Sequence, residues 1–445
     1  MIVMKFGGTS MGSRESIKNV ANIVKQNLKN KPVVVVSAMS GVTDSFINSA
    51  QDALKGHTAK VEKSILTIRK KHEELLLGFG DQPKVKTFWA KNMEPLFVEI
   101  ELLLQGIAML KELSPRSLDN LSSFGERLSS YLLVFVFDSM KVKAERFDTR
   151  EILRTDSDFG SANVDFKTSK TSYKRKIIPF LQAGGVPVLT GYIGADKDGN
   201  TTTLGRGGSD YSASIAGILL GAKSVEIWTD VDGILTANPR DVENTKLWQQ
   251  ISFQEAAELA YSGAKVLHPK TIHPAVKENI DVVVKNTFNP LAKGTVINKT
   301  QKNGLKGVTI TKGVNVVYIC SDNMLDEFGF VNRVSSIFSK HGVSIDVITT
   351  SEVTISISVN GAIPKSILQE LSAFSTVNVT SGQAKVCLVG TNMCSDAGFL
   401  SKVFHVISKF TIHMISFGYS NINLTLIVDE KDCLQITRAL HKELF

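Results

Sequence analysis

Val33-Val34-Val35-Val36-Ser37-Ala38-Met39-Ser40-Gly41-Val42-Thr43 is the stretch from which the fold is read. Four consecutive β-branched residues, with no polar residue alternating between them, suit a strand that is buried on both faces. That pattern belongs to a mostly parallel sheet covered by helices. The run then breaks into small and hydroxyl residues at the strand's carboxyl end, where open α/β sheets place their ligands.

The same grammar recurs outward along the chain. Apolar runs at Val186 to Ile193, Val225 to Thr229 and Val282 to Val284 alternate with helical stretches, so the first two-thirds read as α/β. From Ser45 to Leu113 the pattern becomes long helices rich in Lys, Glu and Leu, a helical insertion over one side of the sheet. A polar, turn-forming stretch between Asn298 and Gly313 marks a break before a new β pattern. Beyond it lies an internal repeat, in which Gly329 through Ile345 superimposes on Gly398 through Met414 at a constant offset of 69 residues. Phe330, Val334, Ile337 and Phe338 trace an apolar helical face that Phe399, Val403, Val406 and Ile407 repeat. Each helix is followed by two strand patterns, which implies two small βαββαβ units whose strand edges favour a dimer.

Composition narrows the class. The chain has 445 residues, 43% hydrophobic and 21% charged, which suits a multidomain globular protein. No apolar run reaches the roughly 18 residues of a membrane span, and the opening residues run straight into a strand pattern. A cytoplasmic protein is expected. Four scattered cysteines, Cys320, Cys387, Cys394 and Cys433, have no metal-binding spacing. The formal net charge of +8 comes from dispersed Lys and Arg, with no basic tract of the kind that grips nucleic acid. A small anionic substrate and a nucleotide explain it equally well.

Two glycine clusters carry the chemistry. Lys5-Phe6-Gly7-Gly8-Thr9-Ser10 follows a strand and precedes a helical stretch, so its amides and the Lys5 ammonium suit a phosphate; the same residues also suit a plain tight turn. Thr203-Leu204-Gly205-Arg206-Gly207-Gly208-Ser209-Asp210 is too rich in glycine and charge for a simple turn. There Arg206 can clamp a carboxylate, and Asp210 can orient Lys5 or help hold a metal. Phe124-Gly125-Glu126-Arg127 and Thr229-Asp230-Val231-Asp232-Gly233 are ambiguous alone, a surface ion pair and an Asp-Gly turn being the simpler readings. No His, Ser or Cys stands in a nucleophile-and-base pattern. Phosphoryl transfer to an ionised carboxylate needs no such base.

Taken together, these segments with Gly263 to Pro269 and the C-terminal repeat resemble the aspartate kinase family, within the amino-acid kinase fold followed by tandem ferredoxin-like ACT domains. The resemblance is to the monofunctional, lysine-sensitive type. It implies a catalytic domain over 1–298 with its insertion at about 45–113, a first ACT domain over 314–383, and a second over 384–445 that takes a strand from about 304–312. It also implies ATP-dependent phosphorylation of the L-aspartate side chain, with Mg²⁺ arriving with ATP and no metal site assigned to protein residues. Lys5, Gly7, Gly8 and Asp210 would be catalytic, and Ser37, Thr43, Glu126, Arg206 and Ser209 would surround aspartate. The nucleotide would meet Lys5, Gly8, Thr229, Asp230, Leu235, Arg240 and Lys265. Two departures stand out: Leu235 where many relatives have tyrosine, and Asn238 where aspartate is common.

The repeats also differ informatively. Asp346 of the first aligns with Ile415 of the second, and only the carboxylate can take an effector's ammonium. Met324, Phe330, Val331, Ser344, Asp346, Thr350, Ser351 and Glu352 resemble an inhibitor site, with L-lysine as the expected effector and threonine as the alternative. The expected assembly is a homodimer or homotetramer built through the ACT domains, and neither nucleic acid nor membrane is an expected partner.

Overall fold

The computed structural model describes residues 1–264, 267–321, 324, 328–393, 396–418 and 422–445. The chain divides into two compact units, 1–234 with 266–299, and 235–265 with 300–445. In the first, strands β1 (Ile2–Phe6), β2 (Pro32–Val36), β3 (Ala144–Phe147), β4 (Val186–Thr190), β5 (Ser224–Thr229), β6 (Asp281–Asn286) and β7 (Thr295–Asn298) follow the order β3-β4-β2-β1-β5-β6-β7. All neighbouring pairs are parallel except β6 with β7. Every residue of β1, β2 and β4 is buried, which is why those strands read as continuous Val and Ile runs.

The Lys-, Glu- and Leu-rich stretch holds helices at Val42–Leu54, Thr58–Leu77, Gln82–Phe88 and Glu94–Leu110. Their apolar faces share one core with β1, β2 and the helix Phe124–Ser139. Among the described residues no helix is long and apolar enough to cross a membrane.

In the second unit, β8 (Gly304–Cys320), β9 (Val347–Thr350), β10 (Thr354–Asn360), β11 (Thr376–Thr391), β12 (Ile412–Phe417) and β13 (Asn423–Asp429) form one antiparallel sheet in the order β9-β10-β8-β11-β13-β12. The repeated helices are Phe330–Lys340 and Ala397–Ile407. The repeats interlock. The first half of β8, from Gly304 to Lys312, pairs with Thr391 to Ala384, while its second half pairs with Asn360 to Thr354 and with Gln383 to Thr376. Gly313, at φ +73°, sits where the register shifts, so the strand continues past it through a bulge, while the strand-free stretch 299–303 ahead of β8 contains the division between the two units. Segment 235–265 is stitched to this sheet. Val308 N–H donates to the Thr236 carbonyl at 2.8 Å, and the fully buried Glu255 carboxylate accepts from Thr391 Oγ1 at 2.7 Å and pairs with Lys306 Nζ at 3.3 Å.

Candidate active site

Three parallel strands end at one place, and the chain after each turns back at once. Gly7 N–H donates to the Trp228 carbonyl, Ser37 N–H to Phe6, and Gly191 N–H to Val36, at 3.0 to 3.1 Å. A polar cavity of about 560 Å³ opens in this unit, lined by residues of these turns and of the helices that follow them. Lys5, Ser37, Thr43, Glu126, Arg206, Ser209 and Asp210 all line it. Of the residues expected to be catalytic or to surround the acceptor, Gly7 and Gly8 alone are not among its walls.

Close backbone approaches bring these groups together. A side chain at Gly125 would place its Cβ 2.5 Å from Ala38 Cβ and 3.0 Å from Thr43 Oγ1. Glycine alone lets the helix Phe124–Ser139 seat its first turn, and Glu126 with it, on the strand-end turn. Gly208, first residue of the helix Gly208–Leu220, leaves no room for a Cβ against the Tyr192 ring, at 2.4 Å. Just before it, Gly205 and Gly207 take positive φ, 76° and 73°, which turns the chain tightly around Arg206.

The charges are arranged unevenly. Lys5 Nζ pairs with Asp210 Oδ1 at 2.6 Å, both side chains nearly buried. Glu126 is 4% exposed; its Oε1 accepts from Ser209 Oγ at 3.4 Å, while Oε2 has no hydrogen-bond partner. Burial pushes its carboxyl up to about 8, against the lowering effects of the Ala38 amide, Ser209 and the Lys5 charge. Arg206 is exposed at its turn. A Cβ on Gly7 would lie 3.6 Å from Lys5 Nζ, so this glycine keeps the flank of the ammonium open.

A matched family model, described as the amino acid kinase family, covers residues 1–286, and one described as an ACT domain covers 386–444. Lysine-sensitive aspartokinase 3 of Escherichia coli is 36% identical across the whole chain and 99% of its own length; the chloroplastic aspartokinase 1 of Arabidopsis thaliana is also 36% identical, over 80% of its length. The chain belongs to the aspartokinases. The crystal structure of E. coli aspartokinase III in complex with aspartate and ADP (R-state) matches with a TM-score of 0.84 at 35% identity over all of both chains. The same enzyme in complex with lysine and aspartate (T-state) gives 0.85 at 35% identity, over all of this chain and 99% of that one.

Within this aspartokinase, cavity residues without an assignment from sequence are Asp44, Ile47, Gly160 and Tyr192. Asp44 and Ile47 extend the face begun by Thr43 on the helix Val42–Leu54, so one helical turn from a motif was the signal available. Gly160 and Tyr192 come from loops with no motif. Thr229 ends β5 and Asp230 follows it, with Thr229 Oγ1 donating to Asp230 Oδ1 at 3.1 Å. Leu235 and Arg240 belong to the second unit, and Lys265 falls outside the described residues. Asn238 Oδ1 accepts from Arg240 N–H at 3.1 Å, as an aspartate oxygen could, while its Nδ2 donates to Asp241 Oδ2 at 2.8 Å, which an aspartate could not.

The effector segment is more dispersed. Asp346 Oδ2 faces Lys385 Nζ at 3.4 Å, an ion pair between the first repeat and β11. Ser344, Thr350, Ser351 and Glu352 are exposed, and Ser351 closes the β9–β10 turn by donating its N–H to the Thr354 carbonyl at 2.8 Å. Phe330 is buried in the repeat's own core, with Met324 packed against that core, while Val331 is 43% exposed.

Proposed function

We propose that this aspartokinase transfers the γ-phosphoryl group of ATP to the β-carboxylate of L-aspartate, giving ADP and 4-phospho-L-aspartate, the first step toward lysine, threonine and methionine. Feedback is by L-lysine through the ACT-type unit. What carries this reading is the convergence of Lys5, Asp210, Glu126, Arg206 and Ser209 on one cavity. An α-amino dicarboxylate presents one ammonium and two carboxylates. Glu126, with an unpartnered oxygen, suits the ammonium, and the Arg206 guanidinium suits a carboxylate. Lys5, held by Asp210 on one side and left open by Gly7 on the other, suits the transferred phosphoryl group. The acceptor is already ionised near neutral pH, so positioning and positive charge suffice. Among the described residues lining the cavity there is no histidine or cysteine.

ATP would arrive with Mg²⁺, which supplies charge neutralisation between the phosphates, and Asp210 is the acidic group beside Lys5 best placed to face it. Thr229, Asp230, Leu235, Arg240 and Lys265 complete the proposed nucleotide contacts, with the Gly8 amide beside the phosphates; the Gly7 N–H, expected there too, is instead committed to the Trp228 carbonyl. Met324, Phe330, Val331, Ser344, Asp346, Thr350, Ser351 and Glu352 form the proposed effector segment. The domain division proposed is 1–298, 314–383 and 384–445, with 304–312 serving the last. A cytoplasmic homodimer or homotetramer assembled through the ACT-type repeats completes the proposal.

The test is ADP release from Mg-ATP with L-aspartate or L-glutamate as acceptor, each with and without lysine or threonine. Aspartate-dependent turnover suppressed by lysine is expected. Turnover with glutamate alone would reassign the acceptor, and lysine binding without any turnover would make the chain a sensor.

A further inference from the structure

Asp119 belongs to none of the motifs, yet its carboxylate is committed to Gly160, which lines the acceptor cavity, and to Thr203, just ahead of the Arg206 turn. It lies on the short helix Pro115–Ser122 and is 3% exposed. Its Oδ2 accepts from the backbone N–H groups of Gly160, at 2.9 Å, and Thr203, at 2.8 Å; its Oδ1 accepts from Thr203 Oγ1 at 2.8 Å. These bonds join the Gly160 loop to the end of the strand Thr201–Thr203. Gly160 lines the cavity itself, and Thr203 is the last ordered strand residue before the Gly205-Arg206-Gly207 turn. The loops touch, since a Cβ on Gly205 would lie 3.1 Å from the Gly160 carbonyl, and the Thr203 carbonyl accepts from Ala162 N–H at 2.9 Å. Among the described residues no cation pairs with Asp119, so its charge is satisfied by these dipoles alone.

We infer that Asp119 is a positioning residue for the acceptor: it fastens the Gly160 loop to Thr203 and so sets where the following turn holds Arg206. The inference rests on reading this cavity as the aspartate site. A buried carboxylate bonded to backbone N–H groups holds them more firmly than a neutral acceptor does. Its removal strands three donors, two of them on the buried Thr203, and frees a turn whose glycines cannot hold their own geometry. The phosphate side of the site, built on Lys5 and the Gly7-Gly8 turn, has no contact with Asp119.

The experiment compares Asp119→Ala, Asp119→Asn and Thr203→Val with the full-length wild type, measuring KM for aspartate and for ATP, kcat, and amide hydrogen exchange over residues 204–209. Asp119→Ala should raise the aspartate KM about tenfold and leave the ATP KM within about twofold, with faster exchange in the turn. Asparagine should restore most of the affinity, because its oxygen can keep both backbone bonds and its amide can donate to the Thr203 hydroxyl. In an Arg206→Ala background, Asp119→Ala should add less than about twofold, since it acts through that arginine. Equal rises in both KM values, full additivity with Arg206→Ala, or asparagine no better than alanine would overturn the inference. Should Asp119→Ala not fold, Thr203→Val decides: about a threefold rise in aspartate KM supports the role, and an unchanged KM refutes it. Wild-type turnover with aspartate tests the site assignment separately, and the exchange rates report on the turn whatever the acceptor is.

Discussion

The acceptor cavity and the effector segment are built on opposite plans. In the cavity, charged groups from four separate stretches meet because parallel strands end together and glycines at 125 and 208 admit no side chain between the packed elements. In the ACT-type unit, the proposed effector residues are spread over the first repeat's helix, the loop after it, its edge strand and the β9–β10 turn, and the sharpest feature, Asp346 with Lys385, already carries an internal counter-ion. The first pairs Lys5 with Asp210 but leaves the buried Glu126 Oε2 unpartnered, for a ligand's charge to meet. The second holds a cation of its own that an effector's ammonium must compete with.

Replacing Lys5 by alanine breaks the cavity side of this contrast most severely. It removes the cation at the transferred group and leaves Asp210 unpaired, so kcat should fall by about 10³ with folding retained. A loss under tenfold, measured by ADP release, would mean the phosphoryl group sits elsewhere. Arg206→Ala comes next, expected to raise the aspartate KM roughly 100-fold with little change for ATP; a matched rise for both substrates would contradict its assignment to the acceptor.

The titration of Glu126 offers a subtler probe. Its folded-state value of about 8 lies above its ordinary 4.5, so the empty site holds a proton across that window. The folded state then binds more protons than the unfolded, and its stability declines as pH rises from about 4.5 through 8. An aspartate ammonium needs the ionised form. Aspartate KM should therefore fall up to about tenfold per pH unit from 6 toward 8 and level off above, whereas Glu126→Gln should flatten that profile. A wild-type KM independent of pH would remove Glu126 from the ammonium.

On the regulatory side the expected effect is smaller. Asp346→Ala should raise the lysine concentration for half-inhibition about tenfold while leaving uninhibited turnover near wild type. It also leaves the mostly buried Lys385 unpaired, so Tm should drop by a few degrees. Unaltered lysine inhibition would place the effector away from this segment.

How far the sequence could be read follows the same divide. The parallel sheet was legible because strands buried on both faces write themselves as Val and Ile runs, and the cavity because its glycines and charges fall within short motifs. Asp119, Gly160 and Tyr192 left no such trace: each matters through neighbours distant in sequence, and Asp119 looks like any polar residue of a short helix. In the ACT-type unit the 3.6-residue periodicity disclosed both helices. What the sequence did not disclose is that β8 runs unbroken in pairing past Gly313, because a glycine at positive φ reads as a turn whether or not the pairing continues beyond it.

That long strand also sets a timetable for synthesis. Residues 304–312 leave the ribosome well before 384–391, the segment they pair with, and the hydrogen bond joining Asn303 to Asn392 spans 89 positions. Until the later strand emerges, the earlier one presents unsatisfied backbone groups and an apolar flank, with the first repeat free to fold in between. The sheet of the C-terminal unit is therefore expected to close late, once 384–391 has emerged, and the nascent chain's interval of greatest vulnerability to aggregation lies between those two strands.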